Sequence, residues 1–206
     1  MTESVDYQMV TGEESTDEEP YELLHTRFLS IEGLAEYLLL DVAHMDPISE
    51  HAQRTPSRFV QMLREMTTPV PFEFTTFPAK SRDMIIIKQI PVVSLCAHHV
   101  VPFRGFAWVG YIPQERVVGL SKIPRLVQNQ ARALRVQEEL THDIADELQA
   151  RLKTDDVAVV MECEHLCMTI RGVQAPGTTT YTATMRGVFS LHERTAKNEF
   201  LKAIGQ

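Results

Sequence analysis

Apolar residues recur at helical spacing between Phe28 and His44 (Ile31, Leu34, Ala35, Leu38, Leu39, Val42), which predicts a helix with that face turned inward. Thr55-Pro56 reads as an N-cap followed by proline at the first helical position. The second helix is then expected to run to about Met66 with Phe59, Val60, Leu63 and Met66 inward. Residues 67–82 are rich in Pro, Phe and Thr without a helical period and read as a connection. Beyond them the pattern turns to β-branched and aromatic runs: Met84 to Ile90 with Val92 to Leu95, Phe106 to Ile112, and Val117 to Leu120. The last two are expected to form a hairpin across Pro113 to Arg116. Two helices follow, Ile123 to Leu134 and one carrying Leu140, Ile144, Ala145, Leu148 and Leu152, which ends before Thr154-Asp155-Asp156. Val157 to Arg171 and Thr178 to Ser190 read as long strands around Ala175-Pro176-Gly177, and Thr195 to Ile204 as a closing helix. Helices followed by ββααββ with short turns predict an α+β fold: an antiparallel sheet with a helix pair on one face.

Composition divides this chain of 206 residues. Residues 1–26 hold eight acids and no Lys or Arg, so the net charge of −8 resides there, and residues 27–206 carry 20 acids against 20 bases. Residues 1–25 are expected to be an acidic disordered tail, since such a composition buries too little apolar surface to offset ordering. Residues 26–82 are expected to form a helical extension and connection, and 83–206 the sheet-bearing domain. A neutral body without a basic run argues against nucleic acid as partner. No apolar stretch approaches the ~20 residues of a membrane helix, and the acidic N-terminus is unlike a secretory signal, so no membrane partner and a cytoplasmic location are expected. The three cysteines, all near histidines, fit reduced thiols at a metal better than a disulfide framework.

Two clusters carry the chemistry. In Cys96-Ala97-His98-His99, thiol and imidazole three residues apart face opposite sides of a regular strand. They reach one metal only if the chain turns at Ala97 and His98, and the following Pro102 and Gly105 suit a chain leaving the ladder. In Cys163-Glu164-His165-Leu166-Cys167, strand alternation puts Cys163, His165 and Cys167 on one face. A Cys, His, Cys set is borderline-soft and suits zinc, and three protein ligands leave a fourth position for water, as catalytic sites do. Two histidines, His98 and His165, are left over for proton transfer. The competing reading makes the cysteines small buried hydrophobes and the histidines satisfied core residues. A third segment, Gly119-Leu120-Ser121-Lys122-Ile123-Pro124-Arg125, turns a strand end into a helix and offers an anion site through Ser121, Lys122 and Arg125, to which Arg171 can add a guanidinium. Gln137-Glu138 is a weaker signal, since such pairs commonly lie on solvated helix faces.

Taken in order, these segments resemble the GTP cyclohydrolase I family. The motifs are Ser94-Leu95-Cys96-Ala97-His98-His99, Gly119-Leu120-Ser121-Lys122-Ile123, Val136-Gln137-Glu138, His165-Leu166-Cys167-Met168 with Arg171-Gly172-Val173-Gln174, and Asn198-Glu199-Phe200-Leu201. With Thr55-Pro56-Ser57-Arg58 the likeness spans residues 28–204.

The resemblance implies Zn2+ as cofactor on Cys96, His99 and Cys167, with Cys163 a packing residue, and acid–base roles for His98 and His165. It implies that Glu138 accepts hydrogen bonds from the guanine N1–H and 2-amino group with Gln137 beside it. It gives the triphosphate of GTP to Lys122, Arg125, Arg171 and Arg58, with Ser121 near the ribose. The implied reaction is hydrolysis of the guanine imidazole ring at C8, loss of formate and closure to 7,8-dihydroneopterin triphosphate. The implied fold is the tunnelling fold, assembled as a homodecamer of two pentamers with active sites between subunits, which would pair the open sheet edges. Ala97 departs from the family, which commonly has Glu there, and removes a carboxylate from beside the metal set. Two other readings compete: a zinc-stabilised nucleotide-binding homologue, and a tunnelling-fold enzyme acting on a related purine or pterin. The His-x-Glu and Pro-Cys-x-x-Cys signature of a zinc nucleobase deaminase is absent.

Overall fold

The computed structural model describes residues 30–191 and 195–206, so the expected acidic tail lies outside the described residues. Among the described residues the chain separates into two compact units, divided between Gln61 and Met62.

In the first unit, helix α1 (Ile31–Asp41) starts where the Ser30 hydroxyl accepts the Gly33 N–H at 3.0 Å, satisfying one of the helix's unpaired donors. Ala35 is buried, but Ile31, Leu34, Leu38 and Val42, expected to face inward, are all at least 46% exposed. Helix α2 (Thr55–Thr67) runs across the boundary between the units, with Val60 buried and Phe59, Leu63 and Met66 half-buried as expected.

The second unit is built on a five-stranded sheet in the order β5-β2-β3-β6-β7, formed by β2 (Ile85–Cys96), β3 (Pro102–Tyr111), β5 (Leu134–Arg135), β6 (Val157–His165) and β7 (Thr179–Met185). All pairings are antiparallel except β2 with β5. Helices α3 (Lys122–Gln130) and α4 (Gln137–Leu152) cover one face, as expected. Alternation along β6 explains the layering: Val157, Val159, Met161 and Cys163 pack with Ile123, Leu126, Leu140, Ile144 and Leu148. Ala158 and Val160 point the other way, to Trp108, Phe189 and the Phe200 of helix α6 (Thr195–Ile204).

Several expectations are corrected. Met84–Ile90 and Val92–Leu95 are one strand: a bulge between Ile87 and Ile90, with Gln89 at φ 54°, inserts a residue so that Ile85, Ile87, Ile90 and Val92 all reach the helix-side core. Pro91 is tolerated because β2 is an edge there, β5 pairing only with Leu95 and Cys96. The hairpin across Pro113 to Arg116 does not form. Instead β4 (Arg116–Val118) pairs with β1 (Thr76–Pro78), inside the segment read as a connection, whose Phe72 and Phe74 also pack on the core. Residues 62–82 therefore belong with the sheet. Pro102 and Gly105 lie inside β3 rather than outside the ladder, because at Gly105 the strands approach so closely that a Cβ would fall 2.0 Å from the Glu162 carbonyl oxygen. Helix α3 stops at Gln130 and leads to β5, and the strand expected over 157–171 ends at His165.

Candidate active site

Cys96 closes β2 on the helix-facing side, 4% exposed. The chain then turns: the Val100 N–H donates to the Cys96 carbonyl and the Cys96 N–H to that of Val101, both at 2.9 Å, with Val100 at φ 54°. The Ala97 N–H is held by the Arg135 carbonyl of β5 at 3.0 Å. This turn, expected from the Cys-x-x-His spacing, folds His99 back until its Nδ1 is 3.7 Å from the Cys96 Sγ, with the His98 Nδ1 at 3.8 Å.

The second half comes from β6. Cys163 and His165 follow its helix-facing alternation, and the His165 ring stacks on Phe103 of β3 at 4.8 Å and 14°. Cys167 does not share a strand face with them. A helical turn, α5 (Leu166–Thr169), carries it back instead, so that one donor atom from each of Cys96, His99 and Cys167 falls within 4.8 Å of the others.

A tetrahedral zinc with bonds of about 2.0–2.3 Å separates its ligand atoms by roughly 3.5–3.8 Å, close to this spacing. The thiols themselves favour a cation. Burial raises the Cys167 pKa, the adjacent Cys96 raises it further, and Arg171 offsets part of the rise. Two thiolates side by side need a positive charge between them, so the donor set fits a divalent metal. Cys163, by contrast, is 1% exposed and its thiol is pushed up to about 12, by burial first and Glu162 second, which makes it an inert packing residue.

His165 lies against the N-terminus of α4, its Nε2 2.8 Å from the Gln137 Oε1. Its pKa is lowered because burial outweighs the attraction of the Glu138 carboxylate. Gln137 is buried with both ends of its amide engaged by the chain, whereas Glu138 is exposed beside it.

A cleft of about 290 Å³ gathers Cys96, His98, His99, Gln137, Glu138, His165 and Cys167. Its lining contains none of Ser121, Lys122, Arg125 or Arg171; the first three lie at the start of α3 and Arg171 follows α5, exposed. Arg58 is on α2 in the first unit, exposed. The sequence reading missed Phe103, which fixes the plane of His165, and Arg135, which lines the cleft and pairs with Asp143 at 2.7 Å. The Phe103 contact depends on cross-strand register, which no local pattern encodes. Arg135 lies in the unpredicted two-residue strand β5.

Residues 34–205 match the sequence profile of the family described as GTP cyclohydrolase I. Among curated relatives, the GTP cyclohydrolase 1 of Hydrogenobaculum sp. is 43% identical over 178 residues, covering 85% of this chain and 96% of that protein. The Streptomyces coelicolor protein of the same name is 42% identical, covering 84% and 88%. That of Methylococcus capsulatus is 48% identical over 63% of this chain and 70% of its own. The solved apo structure of archaeosine synthase QueF-Like aligns at a TM-score of 0.40 and 18% identity over 51% of this chain and 94% of its own, too distant to argue from. With 172 consecutive positions matched and three relatives above 40% identity, the chain belongs to the GTP cyclohydrolase I family.

Proposed function

We propose that this protein is a GTP cyclohydrolase I, which opens the guanine imidazole ring of GTP at C8, releases that carbon as formate and forms 7,8-dihydroneopterin triphosphate. The observation that carries the reading is the convergence of Cys96, His99 and Cys167 with two further histidines, His98 and His165, in one cleft of a chain of this family.

Zinc is the metal this donor set suits best, two thiolates and one imidazole, and when bound it supplies Lewis-acid activation of water, lowering its pKa from about 15.7 toward ~7. The chain's own residues do the rest. Glu138, exposed at the cleft, accepts from the guanine N1–H and 2-amino group, an edge of two donors that a carboxylate matches. His98 and His165 move protons during ring opening; burial keeps His165 neutral at physiological pH and so able to accept one. Lys122, Arg125, Arg171 and Arg58 hold the triphosphate, whose charge of roughly −4 they balance, the guanidiniums binding oxygens in pairs.

The cleft of one chain is at the lower edge of the ~300–1,000 Å³ of ligand pockets, and its lining leaves out the phosphate-binding bases. A site shared between subunits accounts for both. The resemblance to the family supplies the finer reading, a homodecamer of two pentamers with active sites at subunit interfaces. Exposed Ile31, Leu34 and Leu38, and the open edges of the sheet, support an assembly. Cysteines at a metal set rather than in disulfides fit a reducing compartment, which supports a cytoplasmic location; no described helix is long and apolar enough to cross a membrane.

Zinc-loaded protein incubated with GTP should release formate in step with a pterin that fluoresces after oxidation. GTP bound but recovered intact would overturn the reading in favour of a nucleotide-binding homologue, and turnover of another purine or pterin instead would favour a different tunnelling-fold enzyme.

A further inference from the structure

We propose that Gln137 is a positioning residue that fixes the tautomer of His165, holding the proton of the neutral imidazole on Nε2 and keeping Nδ1 as the ring's only lone pair.

The direction of every hydrogen bond around Gln137 follows from what each group can do. Its Nε2 lies 2.9 Å from the Thr180 carbonyl oxygen and 3.3 Å from that of Met161. Main-chain carbonyls only accept, so the NH2 end of the amide must face them, and the oxygen end must face His165. Oε1 also only accepts, so the 2.8 Å contact to His165 is donated by an imidazole Nε2–H.

The hydroxyls behind the amide confirm that orientation. Thr141 Oγ1 donates to the main-chain carbonyl of Gln137 at 2.8 Å, so its 2.7 Å contact with Thr182 Oγ1 is donated by Thr182. Thr182 is then an acceptor for the Gln137 Nε2, at 3.0 Å. Reversing the amide would break this ring and set NH2 against a ring nitrogen while Oε1 met two carbonyl oxygens. With Gln137 and Thr141 each 1% exposed, water cannot compensate at low cost.

Phe103 completes the restraint. Stacked on the imidazole at 4.8 Å, it sets the plane of the ring, while the bond to Gln137 decides which edge carries the proton. A ring free to hold its proton on either nitrogen would spend part of its time without a lone pair on Nδ1. Gln137 therefore acts through His165 on proton transfer, and its amide is committed to the chain rather than to a ligand. The kinetic consequence rests on the cyclohydrolase reading; the tautomer does not.

Solid-state 15N NMR of zinc-loaded, histidine-labelled full-length protein without GTP tests the claim, the His165 signals being those missing from His165→Asn. Wild type should show a protonated Nε2 and a bare Nδ1. Gln137→Leu, which removes the acceptor, should shift or split the signals toward the other tautomer. In Gln137→Leu, kcat for GTP should fall about 100-fold with KM changed less than about threefold, the signature of a lost proton-transfer geometry. A bare Nε2 in wild type, or a Gln137→Leu spectrum identical to wild type, would overturn the proposal. The wild-type spectrum decides even if Gln137→Leu fails to fold. Should the cyclohydrolase reading fail instead, wild type would release no formate from GTP while its tautomer pattern stayed as stated.

Discussion

A Cβ at position 105 would fall 2.0 Å from the Glu162 carbonyl oxygen and 2.7 Å from the Cys163 Cα, backbone atoms that can yield only by parting β3 from β6. Gly105→Ala should therefore cost roughly 3 kcal/mol or more, read as a lower midpoint in urea unfolding, because the site's two halves are joined by that pairing. The cysteines separate in the same way. Cys167→Ala should abolish stoichiometric zinc, whereas Cys163→Ala should keep it and lose only about 1 kcal/mol for a small core cavity, which elemental analysis and thermal melts would distinguish. Much of this was legible in the sequence: the spacing of Cys96 and His99 demanded a turn, and the turn is there. The place of Cys163 was harder to read, because alternation alone gave it the same standing as Cys167, and only the end of β6 at His165 separates a core residue from a ligand.

Among the elements, those with a long period were legible and those without one were not. Helices α2, α4 and α6 and the long strands follow from apolar spacing. Strands β1 and β5, of three and two residues, have no period to read: β5 forms against the edge strand β2, and β1 against β4, whose Val117 run was expected as a strand but with another partner. For that reason the 67–82 segment looked like a connection, and the hairpin was expected across Pro113 rather than the pairing of Phe77 with Val117 that exists. Helix α4 ends with Lys153 in the left-handed region at φ 52°, exposed, where glycine is the unstrained choice. Lys153→Gly should leave the fold intact and raise stability by about 0.5–1 kcal/mol, seen as a higher Tm.

For the whole molecule, one chain brings together Cys96, His99 and Cys167 with His98, His165 and Glu138, and leaves Lys122 and Arg125 off the cleft lining. If neighbouring subunits complete the site, two inactive proteins should rescue each other. Mixing Lys122→Ala with His165→Ala under conditions of subunit exchange should restore about a quarter of wild-type sites, those that draw both residues from unmutated positions. No recovery in a mixed assembly would show that one chain supplies both, and a monomer in sedimentation would contradict the decamer itself. The charge distribution fits the same view: the acidic excess lies in residues 1–26, and the neutral remainder can gather its bases around one triphosphate.

The most direct measurement follows the carbon removed from the guanine ring. With GTP labelled at C8, the zinc-loaded wild-type protein should release one labelled formate for each pterin formed. Cys167→Ala, lacking a metal ligand, and His165→Ala, lacking a proton carrier, should each release at least about 100-fold less under the same conditions. Unchanged formate release in both variants, or none from wild type, would contradict the assignment of this site.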